Sequence, residues 1–339
     1  MRDKLFKKNL RFVQKRRRAK TFSSNELELI EHINQETERF NMDNISRTKA
    51  YLQYYNRNKE IPWSFLASMV SRNAGWNMTD LEGNWLSKAL NDDYRNLLFM
   101  TFERANWLIF SDAYPQLLLY EWSKKLGKSL MGLASAFSVS VFIETEWEVF
   151  LDLKAEKRLM MSQIINEQNV IQKPVIENAF YKKNVFTSGI YRLQDWLHFS
   201  SVIFPTKKGE LYGFSVHDFS ELSRRIDLGA KLAELLFHPN YFAHFYKFSA
   251  DNEHTGSRYD YEKFLKPPRA RSTPYLRLIY PVITHAKEPL TDWFTGRNTK
   301  KRWYKPVALP KLDQYLITEW YEKKQKQLHI GIAIEQLLK

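Results

Sequence analysis

The chain has no cysteine, which excludes disulfides, thiolate nucleophiles and cysteine-ligated metals, and which fits a reducing cytosol. Glycine is scarce, at 11 of 339 residues, and proline is modest at 12, so few tight turns and long helices are expected. The most apolar run, Leu130 to Ile143, has 14 residues, whereas a membrane span needs about 20. The opening MRDKLFKKNLRFVQKRRRAK contains no apolar h-region of secretory length, so it does not read as a signal peptide. Neither a P-loop, a dinucleotide fingerprint, a nucleophile elbow, a zinc pattern nor an internal repeat is visible. No metal or cofactor is therefore expected, and an enzyme is neither excluded nor supported by motif.

What is present favours a mostly α, multi-helix globular fold with little or no sheet, built as one large or two packed helical subdomains. Phe, Tyr and Trp number 23, 18 and 10, ample core-forming surface. Ser23 and Glu26 form a capping box, and Leu27, Ile30, Ile33, Thr37 and Phe40 follow at helical spacing, predicting a helix from about Ser24 to Phe40. Ser46 is the expected cap of the next helix. Further on, Pro115 is expected to kink or split a long helix between Leu97 and Leu126. Leu130 to Ile143 reads as a buried helix, and Trp147 to Gln168 as an amphipathic one. Interruptions between Gln172 and Gly189 suggest a subdomain boundary, giving a basic arm over 1–22 and helical subdomains over 23–183 and 184–339. The second half opens with Tyr191 to Phe204, turns at Lys207, Lys208 and Gly209, and continues as a helix from Phe219 to Phe237. A helix-like stretch interrupted at Pro281 and a final amphipathic helix from Leu312 to Leu338 complete it.

The stretch from Ile61 to Leu86, IPWSFLASMVSRNAGWNMTDLEGNWL, organises the chain. Pro62 suits the first turn of a helix, because its missing N–H has no intrahelical partner there. Phe65, Leu66, Met69 and Val70 then share a face for burial. Gly75 is expected to stop this helix, and Thr79 with Glu82 to open the next. Arg72, Asn73 and Asp80 would then crowd a helix-to-helix junction, either as caps for the two ends or facing a pocket.

The run SRNAGWNMTDL, together with FERANWLIFSDAYPQLL from Phe102 to Leu118 and HTGSRYDYEKF from His254 to Phe264, resembles the YppC-like family of bacterial proteins. The resemblance covers the chain from about Ser46 onward. It implies a full-length bacterial protein and carries neither catalytic residues nor a mechanism with it.

Other polar clusters are candidates from their chemistry. Glu103, Arg104, Asn106 and Asp112 lie on one helical segment but cannot all share a narrow face, so they read as ion pairs and caps or as a carboxylate site. HTGSRYDYE offers His254, Arg258, Asp260 and Glu262. Arg258 could hold a phosphate, Asp260 could orient His254, or an Arg258 pair with Asp260 or Glu262 could simply pin a loop. His238 and His244, lone histidines among aromatics, read as structural rather than as metal ligands.

The net charge is +14, and it is unevenly spread. Residues 1–20 hold ten Lys or Arg against one acid and residues 263–305 hold eleven against two, so the remainder is net negative. Arg16, Arg17 and Arg18 in the first segment, and Lys300, Lys301 and Arg302 around Trp303 in the second, are the expected contacts to a polyanion such as nucleic acid or an anionic membrane. The competing expectation is that the arm is solvated or partly disordered and that Trp303 tucks into the core. The function expected from the sequence is a cytoplasmic binding or scaffolding module with an anion-binding surface, peripheral at the membrane or nucleoid, with a protein partner also compatible. The alternative is a hydrolase or transferase of a phosphorylated substrate built from the Arg72 and His254 clusters.

Overall fold

Helical periodicity dominates the sequence, and helices dominate the fold. The computed structural model describes residues 2–18, 21–186, 201–215, 220–286, 291–296, 298–309 and 312–337. The long helices are α1 (Arg2–Arg18), α2 (Ser24–Phe40), α3 (Asn44–Arg57), α4 (Trp63–Asp80), α5 (Asp92–Leu126), α6 (Val141–Leu153), α7 (Glu156–Val170), α8 (Leu222–Leu236), α9 (Phe242–Asp251) and α10 (Thr318–Leu337). The sheet among the described residues is one antiparallel hairpin, β1 (Ser201–Pro205) with β2 (Leu211–Ser215), in which Ile203 faces Gly213. Its turn includes the expected Lys207, Lys208 and Gly209. Gly189, Tyr191 to Ser200, Phe219 and Arg297 lie outside the described residues.

The main apolar core gathers Ile33, Tyr51, Trp63, Phe65, Phe110, Leu117, Trp147 and Ile164 from α2 to α7, and Leu235 and Phe245 from α8 and α9. Helix α4 is buried along most of its length, so it serves as the central element against which both halves of the chain pack.

Local signals were obeyed where no tertiary contact competed. Ser23 caps α2 with the full reciprocal box: its hydroxyl accepts from Glu26 N, and its N–H donates to the Glu26 carboxylate at 2.9 Å. At α3 the cap is Asp43 rather than Ser46, with Asp43 Oδ1 accepting from Ser46 N at 2.7 Å.

Four expectations are corrected by packing. Helix α4 does not stop at Gly75 but runs on to Asp80, and the Thr79 hydroxyl donates to Gly256 O at 2.7 Å instead of capping a new helix. Helix α5 passes through Pro115 without interruption; the cost of proline in a helix interior, about 3 kcal/mol, is outweighed by the burial of Tyr114, Leu117 and Leu118 beside it. Leu130 to Ile143 is not one helix: a 3₁₀ segment, Met131–Phe137, ends at Ser138 with φ +56°, and Ser140 caps α6 by accepting from Ile143 N at 3.2 Å. The helix-like stretch from Thr273 is not one helix: between Thr273 and Ala286 the helix is a single turn, Leu276–Ile279, and the other residues are irregular.

The basic arm is a fifth correction, because α1 is a docked helix rather than a solvated tail. Val13 is fully buried, the Phe6 ring meets Phe142 and Phe294 at centroid distances of 6.2 and 6.3 Å, and Asn9 Nδ2 donates to Asp152 Oδ2 at 3.1 Å.

Candidate functional site

Positions 72, 75, 76 and 79 of α4 fall at three- and four-residue spacing and therefore line one face. That face meets the segment from Ser249 to Glu262. Arg72 donates from Nη1 to Asn252 O at 2.9 Å and from Nη2 to Ser249 O at 3.3 Å. Trp76 Nε1 donates to Asp260 Oδ2 at 3.0 Å. On the adjoining face, Asn73 clasps the backbone of β1, donating to Ile203 O at 2.8 Å and accepting from Ile203 N at 2.7 Å. Asp80, at the end of the helix, accepts from Arg258 Nη1 at 2.9 Å.

Asp260 is the hub of this seam. Besides Trp76 it accepts from Thr255 N at 3.0 Å and Thr255 Oγ1 at 2.6 Å, and its Oδ2 lies 3.1 Å from His254 Nδ1. Burial opposes its charge, but the hydrogen bonds from His254, Thr255 and Trp76 prevail and hold its carboxyl below the usual range. Burial lowers the His254 pKa against the pull of Asp260, which favours a neutral ring with the proton on Nδ1. The pairing expected of Asp260 and His254 is therefore formed. His254 Nε2, however, is buried without a partner among the described residues, directed at the backbone of Gly75, where an added Cβ would stand 2.7 Å away. A general base needs that nitrogen open to substrate, and here it is closed by a helix.

Arg258 is equally occupied. It reaches Asp80, Gln325 Oε1 at 2.6 Å and Glu262 Oε1 at 3.4 Å. Arg72 and Asp80, expected to crowd one junction, do not pair with each other: Asp80 is taken by Arg258 and Arg72 by backbone carbonyls. Burial pushes the Arg72 pKa down to about 10, and the cation is held by carbonyl oxygens, with no ion pair among the described residues. Burial raises Asp80 to about 6 against the opposing charge of Arg258. Arg72, Asn73, Asp80, His254, Arg258, Asp260 and Glu262 are thus brought together across nearly two hundred residues of sequence, but as a closed interior seam.

Glu103 and Arg104 sit elsewhere. Glu103 is buried and bound in a fork by Arg47, with Nη2 to Oε1 at 2.5 Å and Nη1 to Oε2 at 2.8 Å, and His285 Nε2 lies 3.4 Å from Oε1. Against the cost of burial, Arg47 holds this carboxyl low. Arg104 lies over the Trp107 ring at 5.0 Å. Arg47 is a buried partner that sequence reasoning missed, since nothing in SRTKAY distinguishes it from a solvated arginine.

A cleft of about 560 Å³ opens elsewhere, between α2, α5, the 3₁₀ segment and the strap 282–285. Asp112 and Ser138 line it and also line a second cavity of about 240 Å³ beside Ser140 and Asp292. Asp112 Oδ2 accepts from Gln116 Nε2 at 2.8 Å and Asn166 Nδ2 at 2.5 Å. These amides are fixed in turn: Trp147 and Gln163 donate to Gln116 Oε1, and Ser140 and Trp293 donate to Asn166 Oδ1. Burial raises Asp112 to about 7, with its hydrogen bonds opposing.

The charged surfaces complete the inventory. On α1, Lys4, Lys7, Lys8, Arg11, Lys15 and Arg18 are exposed, and at 100° per residue they fall on one stripe opposite the docked Phe6, Asn9 and Val13. Arg16 and Arg17 do not belong to it. Arg16 binds Glu144 and Glu148 at 2.6 and 2.7 Å, and Arg17 binds Glu144 at 2.6 Å. In the second basic segment Lys300, Lys301 and Arg302 are exposed, but Trp303 is buried at 3% exposure, so its ring is not open to a stacking base.

Residues 39–326 match a family model described as "Protein of unknown function (DUF2515)". The chain belongs to this family. It is also 49% identical over 312 residues to a Bacillus subtilis (strain 168) protein described as "Uncharacterized protein YppC", a match that covers 92% of this chain and 96% of the relative. No solved structure matches it. The YppC-like resemblance of the three sequence runs is thereby shown, and all three lie inside the family match. Helix α1 precedes the family match. No described helix is long and apolar enough to cross a membrane.

Proposed function

We propose that this member of the family is a binding module whose contact surface for polyanions is the exposed face of α1, and that its ligand is the phosphate backbone of a nucleic acid. The observation that carries the reading is the division of α1 into two faces. Its apolar side is used inside the fold, against Phe142 and Phe294, which leaves Phe12 as its exposed large apolar side chain and too little apolar surface for a face that inserts among lipid chains. Its other side is a rigid row of six cations about 21 Å long at 1.5 Å per residue, and none of the six makes an ion pair with a described residue. Such a row meets a regular array of phosphates without base readout. The exposed Lys300, Lys301 and Arg302 offer a second, independent group of cations.

The alternative of a hydrolase or transferase at Arg72 and His254 has less support. Arg72 is engaged by carbonyls, Arg258 by side chains, and His254 Nε2 by the wall of α4.

The test uses the full chain carrying Lys7→Gln, Arg11→Gln and Lys15→Gln, because these side chains are exposed and their loss leaves the docked face intact. Deleting 1–20 is not equivalent, since it also removes Val13 and the Arg16 and Arg17 pairs from the body. The variant should keep the wild-type Tm and bind a 20-base-pair duplex at least about tenfold more weakly. Equal duplex binding by the two proteins would refute the reading. Loss of binding to phosphatidylglycerol vesicles, with no duplex binding by either protein, would transfer the surface to membranes.

A further inference from the structure

The Asp112 cleft carries a separate inference. A carboxylate that is 5% exposed normally has a cation beside it, because unpaired burial of a charge is costly. Asp112 has only neutral amide donors, both on Oδ2, and its Oδ1 accepts no hydrogen bond from a described residue. The orientation of both amides is imposed from behind by Trp147, Gln163, Ser140 and Trp293, so this arrangement is held in place rather than one of several.

The surroundings of the cleft have the same polarity. In a chain of net charge +14, its lining contains Asp112 and Glu38 and, among the described residues, no Lys or Arg. Thr37, Asn41 and Ser111 add neutral polar groups. A volume of about 560 Å³ falls in the range of small-molecule sites, about 300 to 1,000 Å³. Of the ionisable side chains that line the cleft, Asp112 and Glu38 are acids and His285 lies against Glu103; Lys173 lines the smaller neighbouring cavity that Asp112 also borders, and the one buried acid of the cleft has an unused oxygen.

We infer that the cleft is a binding site for a small organic cation, an amine or guanidinium compound, whose charged group pairs with Asp112 Oδ1. The ligand supplies the counter-charge that the protein withholds, and the fixed amides leave that oxygen as the acceptor. This inference does not depend on α1, which contributes no residue to the cleft lining.

Thermal-shift and calorimetric titrations at pH 8 with putrescine and agmatine, and with 1,4-butanediol as the neutral counterpart of putrescine, test the inference. At least one of the two cations should raise the wild-type Tm by about 2 °C or more at saturating concentration, and butanediol should not. Asp112→Asn keeps an oxygen for the two amide donors and removes the charge, and it should abolish the shift. Ala136→Phe fills the cleft from its wall without touching a charge, and it should do the same; it decides the question if Asp112→Asn does not fold. No response of wild type to either cation, or an undiminished response in either folded variant, overturns the site.

Discussion

Arg17 donates from Nε to Glu144 Oε2 at 2.6 Å, and the same carboxylate accepts from Arg16. The Glu144 side chain is fully buried and bridges two arginines of a strongly basic helix, with Glu148 and Asp292 as their further partners, and so fixes α1 to the body. This makes the sign of a substitution clear. Glu144→Gln removes the carboxylate that both guanidinium groups share; Arg16 keeps Glu148 at 2.7 Å and Arg17 keeps Asp292 at 3.7 Å, so the cost falls below the roughly 3 to 5 kcal/mol of a buried charge left wholly unpaired. The variant should show a lower Tm and faster proteolysis within residues 1–20, read by limited proteolysis and mass spectrometry. A wild-type digestion pattern would mean that the pairs do not hold the helix.

Gly75 and His254 make a tight fit in the interior seam. Alanine would ordinarily stabilise a helix interior by about 1 kcal/mol over glycine. Here its Cβ would stand 2.7 Å from His254 Nε2 and 3.0 Å from Cε1, and overpacking of this kind costs about 1 to 3 kcal/mol. Gly75→Ala is therefore expected to lower the Tm despite its helix propensity. The same substitution in a His254→Ala background should be neutral or stabilising; a gain in Tm from Gly75→Ala alone would show that the ring has room to move.

Asp112 gives a pH prediction whose sign follows from linkage. Its folded pKa is raised by burial from 3.8 to about 7, so the folded state holds its proton more tightly than the unfolded chain. Stability from this group is full below about pH 4 and is lost as pH rises towards 7. Asp112→Asn removes the titration. The difference in Tm, variant minus wild type, should therefore increase between pH 5 and pH 8. A difference that is flat across that range would contradict a raised pKa.

Arg72 tests the closed seam against an anion site. With its guanidinium held by Asn252 O and Ser249 O, Arg72→Ala should destabilise by leaving buried carbonyls unsatisfied, about 1 to 3 kcal/mol. Phosphate at 10 mM should shift the Tm of wild type and variant equally. A phosphate stabilisation present in wild type and absent in Arg72→Ala would reopen the phosphoryl-transfer alternative.

The sequence disclosed the helical class and the α2 boundary because those rest on local hydrogen bonds and periodicity, as at Ser23 and Glu26. It misplaced the end of α4 for a physical reason. Glycine at 75 signals a stop, yet this glycine is required by a ring 179 residues further along the chain, and Thr79 directs its hydroxyl to Gly256 O rather than to a cap. The pairing of His254 with Asp260 was legible because both lie in one short run. The partners of Arg72 were not, since backbone carbonyls leave no trace in composition. Arg47, His285 and the amides around Asp112 were equally hidden, because their roles depend on which helices meet. The short strands of the hairpin were read as part of a helical half, and pairing between β1 and β2 is what gives them their form.

The central claim is that the exposed row on α1 contacts phosphate. The most direct measurement is the dependence of duplex affinity on salt, for wild type and for the Lys7→Gln, Arg11→Gln, Lys15→Gln variant. Six phosphate contacts predict a slope of log K against log salt of roughly −5, and loss of three predicts a change of roughly 3. A slope near zero, or one that the three substitutions leave unchanged, would contradict the account.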